Sequence, residues 1–186
     1  MTGELQTERF AEAARRVGAE VVIVSGATEA AAYIEKRAAG PVLLPAFPSG
    51  ERLGLAKKLS ETRLDAAPPG RQTAAQASAG ISGANFALAD TGTVVLESTT
   101  EEIRLATTLP ERHFVLLDPR KIVADALAAA PLVRRFHDGG APSYLAYITG
   151  PSRTADIERV LTIGVHGPRE LHILLIEGLS DDPLEI

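Results

Sequence analysis

The sequence predicts an α/β domain, a three-layer α/β/α arrangement around a mixed, mostly parallel sheet. Three observations carry this. Strand, helix and strand follow one another between Ala19 and Leu44, a βαβ unit whose two strands run parallel. Phe86–Asp90 and Thr93–Leu96 are β-rich runs on either side of Thr91-Gly92, a hairpin signal that brings in an antiparallel pair. The 186 residues are 45% apolar and 23% charged, which suits one domain with a full core.

The elements follow in order. Phe10, Ala13, Ala14 and Val17 are spaced for an amphipathic helix that Gly18 stops, a lead-in over residues 1–18. Ala19–Val24 reads as a buried strand. A helix from Thr28 puts Ala31, Ile34 and Ala38 on one face, and Pro41–Leu44 is the next strand. Residues 45–72 read as an excursion or linker within the single domain, with a short helix at Arg52–Leu59. Ala74–Ala79 reads as a weak helix ending at Gly80. After the hairpin come a strand at His113–Leu117, a helix at Arg120–Ala129 with Ile122, Val123, Ala126 and Leu127 inward, and a polar loop at Arg134–Ala141. Tyr144–Thr149 is a strand, Arg153–Leu161 a helix and Leu171–Ile176 the last strand.

Composition excludes several functions. There are 19 Lys and Arg against 24 Asp and Glu, a net charge of -5, which argues against nucleic-acid binding. Aromatics are 4% with no Trp, too few for a base-stacking platform. Cysteine is absent, so disulfides, thiolate zinc, iron–sulfur ligation and a thiol nucleophile are excluded within this chain. His113, His137, His166 and His172 lack metal-ligand spacing, so no metal site is expected, and His172 reads as a satisfied core histidine. No Gly-x-Gly-x-x-Gly run supports a dinucleotide site. An acidic N-terminus and short apolar runs lead us to expect a cytoplasmic chain with no membrane segment.

Four segments could carry chemistry. Gly150-Pro-Ser-Arg-Thr-Ala-Asp-Ile-Glu158 follows a strand and opens the expected helix. Its free N–H groups, the hydroxyls of Ser152 and Thr154 and the Arg153 guanidinium would suit a phosphate or carboxylate at the sheet's carboxyl edge. The same residues equally describe an ordinary helix N-cap. Gly164-Val-His-Gly-Pro168 offers His166 for acid–base work, with Gly167 allowing close approach, or a structural loop histidine. Asp90, Thr91, Gly92 and Thr93 form the hairpin tip, where Asp90 is a catalytic candidate or a turn residue; no second Asp-Thr-Gly turn exists to make an aspartic protease. Glu97, Glu101, Glu102 and Arg104 cluster after the hairpin, with Glu97 as candidate base and Arg104 as ligand clamp, or as solvated surface.

Taken together, Asn85–Leu96, Arg104 with Leu109-Pro110 and His113, Gly150–Glu158 and Gly164–Pro168 resemble the lactate-utilisation (LUD) domain family over about Ala19 to Glu177. The resemblance implies a fold similar to the ribose-5-phosphate isomerase, glucosamine-6-phosphate deaminase and CoA-transferase group. It also implies a component of a bacterial system oxidising L-lactate to pyruvate, with iron–sulfur protein partners; this chain, without cysteine, is then the non-cluster accessory subunit. The longer N-terminal region of many relatives is expected to be reduced. The alternative is a stand-alone protein or enzyme binding a small anion: a carboxylate, sugar phosphate or CoA-type ligand. No cofactor is encoded by the chain itself.

Overall fold

The computed structural model describes residues 3–138, 143–156 and 159–186. Helix α1 (Gly3–Arg16) buries Phe10, Ala11, Ala13 and Ala14, with Glu4 in its first turn and Arg15 and Arg16 in its last, each sign complementing the helix dipole. Strand β1 (Glu20–Ile23) leads to α2 (Ala27–Arg37), which buries Ala30, Ala31 and Ile34, and then to β2 (Val42–Leu43). The stretch from 45 to 72 carries α3 (Pro48–Leu53), α4 (Leu55–Ser60) and β3 (Ala66–Ala67), with Gly54 in the left-handed region between the two helices. Leu55 and Leu59 are fully buried and β3 closes one edge of the main sheet beside β2.

Helix α5 (Arg71–Ala74) is only one turn, and the expected helix at Ala74–Ala79 gives way to a central strand, β4 (Ala79–Gly83). The physical reason is packing. A Cβ on Gly80 would lie 2.6 Å from the carbonyl carbon of Ala106 in α6 (Glu101–Thr108), so the strand must carry glycine where it meets that helix, while Ile81 fills the core on the other face. Strands β5 (Phe86–Leu88) and β6 (Thr93–Glu97) form the expected antiparallel hairpin, with Phe86 opposite Val95. Strand β7 (Arg112–Leu117) follows. The helix expected from Arg120 starts later: Pro119–Lys121 is a single 3-10 turn, Ile122–Val123 is strand β8, and α7 (Ala126–His137) begins after Asp125, whose carboxylate accepts from the Ala128 N–H at 2.8 Å. Leu127 therefore points to solvent, and the helix runs through Arg134–His137, where a loop was expected. The rest of that expected loop, 139–141, lies outside the described residues.

Strand β9 (Leu145–Ile148) leads into a further strand rather than the expected helix. No helix opens at Arg153. Instead β10 (Arg153–Thr154) pairs antiparallel with β11 (Thr162–Ile163), so the described residues here are a hairpin; Ile157 and Glu158 lie outside the described residues. β-branched Thr154, Thr162 and Ile163 favour the ladder, which the Ser152 N–H to Pro168 and Gly164 N–H to Ser152 bonds extend, both at 2.9 Å. Strand β12 (Glu170–Leu175) is the last.

The main sheet has the order β1-β12-β7-β4-β2-β3 and is parallel throughout. The βαβ unit thus spans the sheet: β12, β7 and β4 lie between β1 and β2. The antiparallel pairs β5–β6 and β6–β9 belong to a second sheet, β8-β5-β6-β9, in which only β5 and β8 are parallel, and β10–β11 stands apart as a two-stranded sheet. Alternation along the central strands makes two cores. Phe114, Leu116 and Leu174 meet Ile34, Leu55 and Leu59 on one face. Val115, Leu117, Ile173 and Leu175 meet Phe10 of α1 and Ala87 and Val94 of the second sheet on the other. Each large side chain so buried contributes roughly 1.5–3 kcal/mol. Helix α7 covers the outer face of the second sheet through Ala129 and Phe136. No helix among the described residues is long and apolar enough to cross a membrane.

Candidate functional site

Strand β9 with the turn after it, the end of α6 and the loop before β12 meet the main sheet at the amino ends of β7 and β12, where they line an open cavity of about 300 Å³. His113, Thr108, Thr149, Ser152, His166 and Gly167 line it. Its walls come from distant parts of the chain and are tied by main-chain bonds. The Ser152–Pro168 and Gly164–Ser152 bonds join the turn after β9 to the loop before β12. A relay of hydroxyls, Thr91 to Thr93 at 2.7 Å and Thr93 to Thr149 at 2.8 Å, joins the hairpin tip to the end of β9. The Thr107 and Thr108 hydroxyls donate back to carbonyls of their own helix, at 2.9 Å to Ile103 and 2.5 Å to Arg104.

His113 is the most perturbed group of this site. It is 1% exposed, and its Nε2 lies 2.8 Å from the Ser82 hydroxyl. Burial, with a smaller contribution from His172, pushes its pKa down to about 3, so the ring is neutral at neutral pH. A neutral imidazole can donate from one nitrogen and accept at the other, and the Ser82 hydroxyl, itself donor and acceptor, can pair with Nε2 in either tautomer. Ser82 is itself fully buried behind the ring, which suits it to orient His113. His172, on the other face of the sheet, is a satisfied core residue: Nδ1 lies 3.2 Å from the Tyr33 hydroxyl, Nε2 3.0 Å from Glu170, and the ring stacks on Phe114. The same neighbourhood raises Tyr33 to about 12, first by burial and then through Glu20.

Of the residues singled out from sequence, Gly150, Ser152, His166 and Gly167 line the cavity, and Thr93 reaches it through Thr149. Thr154 and Arg153 lie beside it on β10; the Arg153 guanidinium donates to the Val17 carbonyl at the end of α1. The anion cradle expected at a helix N-terminus is thus absent, because the chain here is a strand, and the cavity sits at the amino rather than the carboxyl edge of the sheet. Asp90 and Thr91 are exposed at the hairpin tip, and Gly92 is buried against Ala14. Glu97 is at the other end of β6, four residue steps or about 13 Å from Thr93, with its carboxylate held by the Thr99 N–H at 2.9 Å and the Thr99 hydroxyl. Arg104 donates to the carbonyls of Ser98 and Thr99. Asp90, Glu97 and His166 therefore do not form one catalytic group.

Sequence reasoning missed Ser82, Thr107 and Thr108 and gave His113 no site role. The one signal was period-2 alternation, which puts His113 on the same face as Val115 and Leu117 in a strand otherwise wholly apolar after Arg112. The described lining contains no Lys, Arg, Asp or Glu. Among the described residues no three His, Asp or Glu side chains are grouped to hold a metal ion.

Comparison with known proteins fits this architecture. Residues 7–176 match the LUD domain model. Lactate utilization protein C of Bacillus subtilis (strain 168) is 33% identical over 156 residues, 77% of this chain and 65% of that protein. The protein of the same name from Geobacillus kaustophilus is 35% identical over 150 residues, 74% of this chain and 62% of that one. The chain thus spans somewhat less than two thirds of the curated relatives it matches. A crystal structure of a DUF162 family protein from Deinococcus radiodurans shares the fold, with a TM-score of 0.65 at 23% identity over 95% of this chain and 99% of that one. With the domain model matched from α1 to the end of the last strand, the chain belongs to the LUD domain family.

Proposed function

We propose that this chain is a component of a bacterial L-lactate utilisation system in the cytoplasm, where L-lactate is oxidised to pyruvate, and that it serves there as the subunit without an iron–sulfur cluster. The similarity to proteins named lactate utilization protein C, at 33–35% identity over about three quarters of the chain, is the observation that carries this reading. The absence of cysteine supports the division of labour: thiolate-held clusters, if the system uses them, belong to partner proteins. Deleting the gene should abolish growth on L-lactate while sparing growth on pyruvate, and affinity capture of the tagged chain should bring down iron–sulfur proteins. Undiminished growth on L-lactate would overturn the proposal.

A second reading, direct binding of a small metabolite, is favoured by the amino-edge cavity with its neutral His113. The described lining offers hydroxyls and imidazoles without a cation, which suits a small hydrogen-bonding ligand better than a sugar phosphate or a CoA-type anion.

A further inference from the structure

One buried ammonium in this fold shows what suffices to hold such a group. At the carboxyl edge of the main sheet, against the segment Ser180–Ile186, Lys121 is only 3% exposed. The hydrogen-bond acceptors of its Nζ are two main-chain carbonyls, Glu185 at 2.5 Å and Ala84 at 3.4 Å, with no carboxylate among them. The carboxyl-edge cleft beside it is lined by Asp182 and Ile186 of that segment and by Phe47 and Ile103. The amino edge shows the reverse: a set of acceptors that no donor among the described residues answers.

Helix α6 supplies most of them. It leads directly into β7, so its carboxyl end sits at the amino edge, where Thr107 and Thr108 line the cavity. The last N–H to reach back into the helix is that of Leu109, which donates to Leu105. Pro110, which has no N–H, stands where the donor to the Ala106 carbonyl would be. The carbonyls of Ala106, Thr107 and Thr108 therefore have no donor among the described residues. The Thr108 oxygen lies 3.8 Å from where a Cβ on Gly167 would stand, and Gly167 is itself part of the lining. Both threonine hydroxyls spend their protons inside the helix, Thr107 on the Ile103 carbonyl at 2.9 Å and Thr108 on that of Arg104 at 2.5 Å, and so offer only lone pairs outward. All of these oxygens sit at the negative end of the helix dipole.

A second observation comes from the sheet itself. His113 lines the same cavity at 1% exposure, with Nε2 taken by Ser82 and Nδ1 without a partner among the described residues. The ring is neutral, so it brings no positive charge, and with its proton on Nε2 it presents Nδ1 as an acceptor. Tyr147 also lines the cavity, and an aromatic face attracts an ammonium without carrying a charge. The nearest guanidiniums are engaged elsewhere: Arg153 donates to the Val17 carbonyl, and Arg169 lies 3.9 Å from Glu111. Orphan oxygens at a helix carboxyl end, beside a neutral imidazole, are the complement of an N–H donor that carries positive charge. We propose that the amino-edge cavity binds a small primary amine in its ammonium form, whose N–H groups answer the orphan oxygens at the end of α6, with Nδ1 of His113 as a further acceptor. The inference rests on the second reading above, that this cavity takes a small metabolite, and adds the class and charge of that ligand.

The test uses three probes of the same shape, propylammonium chloride, 1-propanol and sodium propionate, at pH 7 with sodium chloride equalising ionic strength. Each is titrated into the 15N-labelled full chain and followed by the amide shifts of Thr107, Thr108, His113 and Gly167. Propylammonium should shift these amides saturably, with an affinity at least tenfold above that of 1-propanol, and propionate should leave them unmoved. Thr108→Val, a change at an exposed position that removes one acceptor, should weaken propylammonium at least threefold with an unchanged circular dichroism spectrum. Propanol or propionate binding in the cavity as tightly as propylammonium overturns the inference while leaving the cavity a small-molecule site. Silence of these amides towards all three probes, or ammonium shifts confined to surface carboxylates elsewhere, overturns the inference and the small-metabolite reading together. Undiminished propylammonium binding in Thr108→Val overturns the part assigned to the end of α6.

Discussion

The neutral state of His113 makes the stability of this fold depend on pH in a window where carboxylates are nearly silent. Its pKa is about 3 in the folded chain, against ~6.5 in an unfolded one. A depressed histidine binds fewer protons when folded, so its contribution is complete above the unfolded value and is lost as pH falls from there toward 3. Between pH 7 and pH 5 the unfolded chain takes up most of one proton at this position and the folded chain takes none. The resulting loss is about 2 kcal/mol, with a limiting slope of about 1.4 kcal/mol per pH unit. His172 is also lowered by burial and adds loss of the same sign, so wild type alone does not isolate the effect. The comparison is therefore His113→Gln, which keeps a hydrogen-bonding group near Ser82 and removes the titration. Urea unfolding followed by circular dichroism at pH 7, 6 and 5 should show wild type losing about 2 kcal/mol more than the variant. Equal losses in the two proteins, within about 0.5 kcal/mol, would refute the assignment of a neutral, buried His113 and with it the hydrogen-bonding role of that ring in the cavity.

Two further outcomes test the packing that builds the site. Gly80→Ala drives a methyl group toward the main chain of α6, 2.6 Å from the Ala106 carbonyl carbon, and should cost about 1–3 kcal/mol in urea unfolding; a change under about 0.5 kcal/mol would mean that the helix yields freely. Arg153→Ala removes the link from β10 to the Val17 carbonyl and should cost about 1 kcal/mol, with faster hydrogen exchange in the β10–β11 hairpin. Unchanged exchange there would show that the guanidinium does not hold the hairpin to α1.

Where the sequence was legible, short-range chemistry and burial agreed. Phe10, Ala13 and Ala14 mark α1 by spacing alone, and the apolar runs of β7 and β12 read as buried strands because both of their faces are covered, whereas β1, read as buried, is an edge strand with Glu20 and Ile23 exposed. Where it misled, a neighbour distant in sequence decided. Gly80 and Ser82 look unlike a central strand until α6 is placed against them. At 153–154 the Ser-Arg-Thr start mimics a helix cap, yet the partner that makes it a strand is Thr162–Ile163, together with a bond from Ser152 to Pro168. The same limit applies to the site. Gly150, Ser152, His166 and Gly167 were identifiable as a loop pair, but their meeting with His113 and Thr108 depends on strand order, which no local pattern encodes. Lys121 was invisible for the opposite reason: read as part of an amphipathic helix it belongs to a solvated face, and only Pro119 and the Asp118 cap turn it inward.

The two ends of the parallel sheet thus carry complementary chemistry. The amino edge holds a cavity of hydroxyls and imidazoles with no described charge in its lining, while the carboxyl edge holds a buried ammonium answered by main-chain oxygens. Strands β4 and β7 connect them through adjacent residues, since Gly80 pairs with His113 at one end and Gly83 with Leu116 at the other. Helix α6 bridges the same distance on one face: Ile103, near its start, lines the carboxyl-edge cleft, and Thr107 and Thr108 at its end line the amino-edge cavity. Because Gly80 brings the α6 main chain into direct contact with β4, the helix has little room to tilt independently of the sheet.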